Sequence, residues 1–177
     1  QPSLRFMWSP ITGHSLWTSV ARAVRTPSVI ENSSEVISTT LPSLLILKGN
    51  DEMSAEILMA YELGYRYYSN PHFTLDLSLF YNDYDDYLSY SLVSPSEIQF
   101  QNRTQGQTHG FELATTWQAR PWWQLKASYS LVHVNMQAED SLFEASSETA
   151  VEGSAAENQL LIQSSMNLSD QWELDAW

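Results

Sequence analysis

Phe73-Thr-Leu-Asp-Leu-Ser-Leu-Phe-Tyr81 is the stretch of this chain in which apolar and polar side chains alternate most regularly. In an extended chain, successive side chains point to opposite sides. Residues 73, 75, 77, 79 and 81 would then lie on an apolar side, and residues 74, 76, 78 and 80 on a mostly polar one. A period of two over this length predicts a β-strand with one apolar face.

The same alternation recurs along nearly the whole chain. It is found in residues 4–9, 59–68, 111–118, 123–131, 159–168 and 172–176, and residues 16–24 are strand-like without a clear facing. Together these windows predict an all-β fold of about eight antiparallel, up-and-down strands. Several windows reach the nine to eleven residues that a tilted strand needs to cross a bilayer.

The connections between these strands alternate in length. Four of them are short polar turns, at residues 10–14, 69–72, 120–121 and 169–171, and each is followed by aromatic residues: Trp17, Phe73, Trp122 with Trp123, and Trp172. The others are long and polar, at residues 27–52, 85–102 and 138–157. Short turns at one edge, long loops at the other and aromatic residues beside the turns are typical of an outer-membrane β-barrel. We therefore expect these aromatics to form an interface girdle, although a sugar-stacking surface would use the same residue types.

Composition excludes several classes of function. The net charge of −13 repels nucleic acid, so no nucleic-acid partner is expected. Cysteine is absent, which removes disulfides, thiolate metal sites and cysteine nucleophiles. No stretch of about eighteen apolar residues is present, so no transmembrane helix is expected.

Two sequence blocks resemble the barrel of bacterial TonB-dependent outer-membrane receptors. The first is residues 16–28, where an aromatic strand leads to Arg22-Ala-Val-Arg-Thr-Pro27. The second is Lys48-Gly-Asn50, followed by Tyr61-Glu-Leu-Gly-Tyr-Arg66 and the strand at residues 75–82. Residues 109–112 and 158–177 are also similar, so the resemblance covers nearly the whole chain.

This resemblance implies a transmembrane β-barrel of about 22 strands in the bacterial outer membrane. In that family a plug domain fills the barrel and a coupling box precedes the plug. The receptor imports ferric siderophores or similar metal chelates with energy from the TonB complex. Eight strands are too few for such a barrel, so we expect residues 1–177 to be a fragment of the barrel wall without plug or coupling box. Its expected partners are outer-membrane lipid and lipopolysaccharide, its own plug domain, the TonB complex and a metal-chelate ligand.

Four charged residues are candidates to face the barrel lumen or the plug. Arg22 and Arg25 are three positions apart, so a regular strand places them on opposite faces. Glu62 and Arg66 share one face, where an ion-pair ladder would be their natural role. A structural role in the wall or rim is the simpler interpretation for all four residues.

No pattern in the sequence indicates catalysis or a bound cofactor. Asp83-Tyr-Asp-Asp86 lacks the glycine and the terminal glutamate of an EF-hand loop. His14, His72, His109 and His133 have no metal-ligand spacing, and no Gly-x-Ser-x-Gly elbow is found. We therefore expect no metal site, no cofactor and no enzymatic activity.

One alternative from another class stays open at the level of sequence. A soluble, acidic β-sandwich that binds carbohydrate would also show strands with a period of two. Its apolar faces would be covered by a second sheet rather than by lipid.

Overall fold

One continuous antiparallel sheet of eight strands dominates the computed structural model, which describes residues 1–38, 45–137, 152–153 and 156–177. The strands are β1 (Ser3–Ile11), β2 (His14–Arg25), β5 (Glu56–Ser69), β6 (Phe73–Ser94), β7 (Glu97–Arg120), β8 (Trp123–Gln137), β9 (Asn158–Ser169) and β10 (Trp172–Ala176), in that spatial order. The sheet is open, with β1 and β10 at its edges. The predicted up-and-down arrangement of about eight strands is confirmed.

The short turns all join strands at the same end. We call this border of the sheet, which runs across the strand ends, the turn edge. They comprise residues 12–13, the 3₁₀ turn Asn70–His72, residues 121–122 and residues 170–171. The opposite edge, called the loop edge, carries the connection between β2 and β5 and the turn between β6 and β7. The predicted loop at residues 138–157 lies mostly outside the described residues.

The predicted loop at residues 27–52 contains regular structure. It forms helix α1 (Val29–Ser33) and the hairpin of β3 (Glu35–Ser38) and β4 (Leu45–Lys48). β4 also pairs in parallel with β7, where Ile46 is opposite Glu97 and Lys48 opposite Gln99. The hairpin is therefore attached to the main sheet through backbone hydrogen bonds.

The prediction of a loop at residues 85–102 is wrong, because β6 and β7 continue through it. These strands are 22 and 24 residues long and are joined by a tight turn at Pro95 and Ser96. The pairing of β6 with β7 shifts register at three places in this stretch. The first is a bulge between Tyr84 and Tyr87, where Asp86 has φ 55°. Such shifts interrupt the alternation in the sequence. Beyond the bulge, the rings of Tyr90 and Phe100 lie 5.3 Å apart, and Phe100 is buried.

The strand register sorts side chains into an apolar and a polar face. From β2 to β8, one row of the apolar face contains Leu16, Tyr65, Leu77, Leu113 and Tyr129 in direct register. Side chains of this face are half-buried or exposed; Leu63 and Leu79 are 50% and 44% exposed.

Burial of apolar side chains is confined to two positions in the described part of the chain, Phe100 and Met136. No second sheet covers the apolar face among the residues described, so the β-sandwich alternative is not supported. The described residues also contain no helix long and apolar enough to cross a membrane.

Candidate functional site

The polar face of the sheet carries the charged side chains that the strands hold in register. Glu62, Arg66, Asp76, Glu112 and Lys126 all lie on it, spread over β5 to β8. In a barrel whose apolar face meets lipid, this face lines the interior.

Glu62 and Arg66 share this face, but they do not pair with each other. The Glu62 carboxylate accepts a hydrogen bond from the Ser19 hydroxyl on β2 at 2.8 Å, and Ser19 is buried. Arg66 forms an ion pair with Asp76 on β6. Residues four apart along a strand are roughly 13 Å apart, whereas residues opposite each other are about 5 Å apart. The polar contacts of these two residues therefore run across strands instead of along β5.

Arg25 lies on the polar face at the loop edge, where it binds two carboxylates. Its Nε and Nη2 atoms donate to Glu56 at 2.8 and 2.6 Å, in a bidentate pair with its register partner on β5. Its Nη1 atom donates to both carboxylate oxygens of Glu31 on α1, at 2.9 and 3.2 Å. Glu56 also accepts from the Leu88 backbone N–H at 2.9 Å. The guanidinium thus joins the end of β2 to α1 and β5, and the Glu56 carboxylate extends this cluster to β6.

Glu31 ties the start of α1 to this cluster through a capping box. Its carboxylate accepts from the Ser28 backbone N–H at 2.6 Å, and its own N–H donates to the Ser28 hydroxyl at 3.3 Å. The Ser28 N–H, and secondarily the Arg25 side chain, hold the pKa of the Glu31 carboxyl below its ordinary value, although burial acts in the opposite direction. Glu31 is therefore a buried anion stabilised by donors from two directions.

The Gly49-Asn50 segment closes the same cluster from the other side. The Asn50 N–H donates to the Glu31 carbonyl at 2.8 Å, and the Asn50 side chain donates to the Phe100 carbonyl at 3.1 Å. A Cβ atom at Gly49 would lie 2.6 Å from the backbone nitrogen of Ser33, so only glycine fits without a backbone shift.

We call Arg25, Ser28, Glu31, Asn50 and Glu56 the latch. The latch fastens α1 and the β3–β4 hairpin to the main sheet and unites the sequence blocks at residues 22–27 and 48–50. Sequence reasoning named Arg25 but missed Glu31, for which the Ser28-x-x-Glu31 pattern was an available signal.

Arg22 and Arg25 lie on opposite faces, as the alternation predicts. Arg22 is in register with Met59 and shares the parity of the apolar face near the loop edge. The lumen-facing role proposed for Arg22 therefore does not fit its place in the sheet, and Arg25 is the one of the two on the polar face.

Aromatic residues gather at the turn edge, with one exception to the expected girdle. Phe73 and Trp123 have the parity of the apolar face, and Trp122 in the turn stacks against Trp123 at 6.1 Å. Trp172 begins β10 and is 70% exposed. Trp17, however, lies on the polar face, where its indole covers Gly64 on β5. A residue without a side chain leaves room there for the large ring, so this tryptophan does not belong to a lipid-facing girdle.

A second aromatic row, which sequence reasoning missed, crosses the apolar face toward the loop edge. Tyr61, Tyr81, His109 and His133 are in direct register on four successive strands, with ring centroids 6.2, 6.5 and 5.2 Å apart. Between Phe73 and Tyr81 the strand rises roughly 27 Å, which at a barrel tilt of 35–45° gives an apolar band about 20 Å tall. Two aromatic rows thus border an apolar band close to the height of those in membrane barrels.

Comparison with known proteins identifies a family for this arrangement. The family model described as "TonB dependent receptor-like, beta-barrel" matches residues 1–175. No curated protein sequence matches the chain.

Solved structures of three bacterial proteins have a similar fold. The chain resembles the ferric enterobactin receptor of Pseudomonas aeruginosa with a TM-score of 0.74 and 18% identity, over 98% of this chain and 26% of that one. For an iron transporter of Neisseria meningitidis the TM-score is 0.74 and the identity 19%, over 98% of this chain and 25% of that one. For the ferric yersiniabactin uptake receptor of Yersinia pestis the TM-score is 0.63 and the identity 17%, over 98% of this chain and 24% of that one. The chain thus spans about a quarter of the length of these structures, and at such identities the likeness concerns the fold.

Proposed function

This chain belongs to the TonB-dependent receptor-like β-barrel family, and from that membership we propose that it forms part of the wall of a receptor for a ferric siderophore or a similar metal chelate. Uptake by the complete receptor would use energy supplied by the TonB complex. The observation that carries the proposal is the family match over residues 1–175. The family consists of receptors and transporters rather than enzymes, and the proposal includes no catalytic step.

The two faces of the sheet support a place in the outer membrane, where the barrels of this family sit. The exposed apolar face and its two aromatic borders suit contact with lipid and lipopolysaccharide. The polar face, with Glu62, Arg66 and Asp76, suits the lining of a wet interior. We assign residues 1–177 to a segment of the barrel domain, with the plug domain and the coupling box as parts of the complete receptor outside this segment.

Within this proposal, the residues of the polar face have a positioning role. Arg25 and the latch would hold the connection between β2 and β5 over the rim, and Glu62 and Arg66 would present polar groups to the plug. Phe73, Trp122, Trp123 and Trp172 would anchor the turn edge in the inner interface. The metal chelate is the cargo of the receptor and is not a resident cofactor.

Uptake of radioactive iron tests this function. The complete receptor gene is deleted from the source bacterium, and cells with and without a restored copy are given ferric catecholate, hydroxamate and mixed-type chelates. We expect at least one chelate to be taken up only by the restored cells, and only when TonB is intact. Equal uptake of every chelate in deleted and restored cells would exclude the proposed role, and fractionation of the same cells reports whether the receptor is in the outer membrane.

A further inference from the structure

His109 and His133 are brought side by side by the pairing of β7 with β8. They are direct register partners, and their ring centroids lie 5.2 Å apart with an interplanar angle of 56°. Twenty-three other residues separate them in the chain, so no sequence motif reveals the pair. Both rings are on the apolar face at its loop-edge border, beyond the last fully apolar row.

The spacing of the two rings suits coordination of a single metal ion. Zinc binds imidazole nitrogen at about 2.0–2.1 Å with tetrahedral angles, which places the centroids of two imidazoles on one ion roughly 5 Å apart. The observed centroid separation of 5.2 Å matches this spacing. Histidine is also the commonest protein ligand for such ions.

Glu157 provides a carboxylate next to this pair. Its backbone carbonyl accepts a hydrogen bond from the Val132 N–H at 2.9 Å, which holds the residue beside β8. Its carboxylate oxygen lies 3.9 Å from Nδ1 of His133, and the two side chains are 66% and 55% exposed. An ion arriving from solution could thus reach both the rings and a negative charge.

We propose that His109 and His133 form a binding site for a divalent transition-metal ion of the zinc or copper class, with Glu157 as an adjacent carboxylate. In the described part of the chain no group of three or more histidine and acidic residues is already arranged around a metal position. The site is therefore a two-histidine site with water in its remaining positions, and it is weaker than a structural zinc site. A bound ion would cross-link β7 and β8 at the border of the apolar band.

Copper titration of the complete receptor tests this site. The protein is purified in detergent without a polyhistidine tag, stripped of metal with a chelator and titrated with Cu²⁺ alone under electron paramagnetic resonance. We expect a bound ion whose spectrum shows coupling to two imidazole nitrogens. His109→Gln and His133→Gln should each lower the copper affinity at least tenfold and remove one nitrogen from the spectrum. His72→Gln, an exposed histidine at the turn edge, is the matched control and should change neither.

A second measurement on the unmodified protein covers the case that a variant fails to fold. Zn²⁺ should protect both histidines from acylation by diethyl pyrocarbonate, as read by mass spectrometry, while His72 stays reactive. The proposal is overturned if the receptor shows no two-nitrogen copper signal, if that signal persists at full affinity in a folded variant, or if Zn²⁺ leaves acylation of both histidines unchanged. A simple girdle role for the two rings would produce these negative results.

Discussion

Replacing Glu31 by glutamine should loosen the latch while leaving the shape of the side chain almost unchanged. The carboxylate accepts from the Ser28 N–H at 2.6 Å and from Arg25 at 2.9 and 3.2 Å. Hydrogen bonds to charged groups contribute about 1.5–3 kcal/mol each. The amide oxygen of glutamine can keep one of these contacts. Arg25 is 46% exposed and keeps its ion pair with Glu56, so solvent screening reduces the contribution of the Arg25–Glu31 ion pair to stability. We therefore expect a net loss of about 1.5–3 kcal/mol in the free energy that opposes local opening.

Hydrogen exchange on the complete receptor measures this loss directly. Since about 1.4 kcal/mol corresponds to a tenfold change in an equilibrium constant, amides in residues 28–34 and 45–50 should exchange roughly 10- to 150-fold faster. Amides near the turn edge should keep their rates. Glu35→Gln removes the same charge at an exposed position of β3 and is the matched control.

Either of two outcomes would contradict a local role of Glu31 in the latch. Exchange in the Glu31→Gln variant within threefold of the unmodified receptor would show that the carboxylate does not hold α1 and the hairpin. An equal increase across all strands would show a global destabilisation instead of a local opening.

Three further predictions follow from the same structure. Because the folded-state pKa of Glu31 is lowered, its stabilisation is fully present above the ordinary value of 4.5 and is lost as the pH falls through the folded value. Protection of the latch against hydrogen exchange should therefore be constant from pH 7 to pH 5 and fall below pH 4.5, and this fall should be smaller in the Glu31→Gln variant. Leu77→Arg places a charge in the middle of the apolar band and should destabilise the receptor by about 2–4 kcal/mol, whereas Ser78→Arg on the polar face should be tolerated. The folded fraction of each variant in outer membranes is measured by heat-modifiable migration in gels. Equal losses in the two variants would contradict the assignment of faces. Gly64→Val should force the Trp17 indole aside and lower the free energy of unfolding by about 1–3 kcal/mol. Adding Trp17→Ala should restore part of the lost stability, measured as the midpoint of urea unfolding. An unchanged midpoint in the double variant would argue against contact between the two residues.

Alternation along the chain was enough to predict most of the eight strands of the main sheet, their short turns and its two faces. Alternation in residues 73–81 assigned each side chain to the apolar or polar side because the period of two is a local property of extended backbone. The turn edge could be located for the same reason, since short polar turns and the aromatics beside them are adjacent in the chain. The position of Arg22 and Arg25 on opposite faces also followed from their spacing alone.

How segments distant in the chain meet depends on the folded sheet. The continuation of β6 and β7 through residues 85–102 depends on a bulge at Asp86 and on pairing across the strands, neither of which has a local period. The parallel pairing of β4 with β7 likewise joins segments about fifty residues apart. Backbone hydrogen bonds can form between any two extended strands, so composition cannot select the partner.

The same limit explains which site contacts could not be predicted. Glu62 and Arg66 lie on the same face because they are an even number of positions apart. The register between strands, however, pairs Arg66 with Asp76 in an ion pair and Glu62 with Ser19 in a hydrogen bond. Register also places the Trp17 ring over Gly64, although its position after a turn suggested the interface. Side-chain parity is set by each strand alone, whereas contacts are set by the alignment of one strand against the next, and that alignment exists only in the folded sheet.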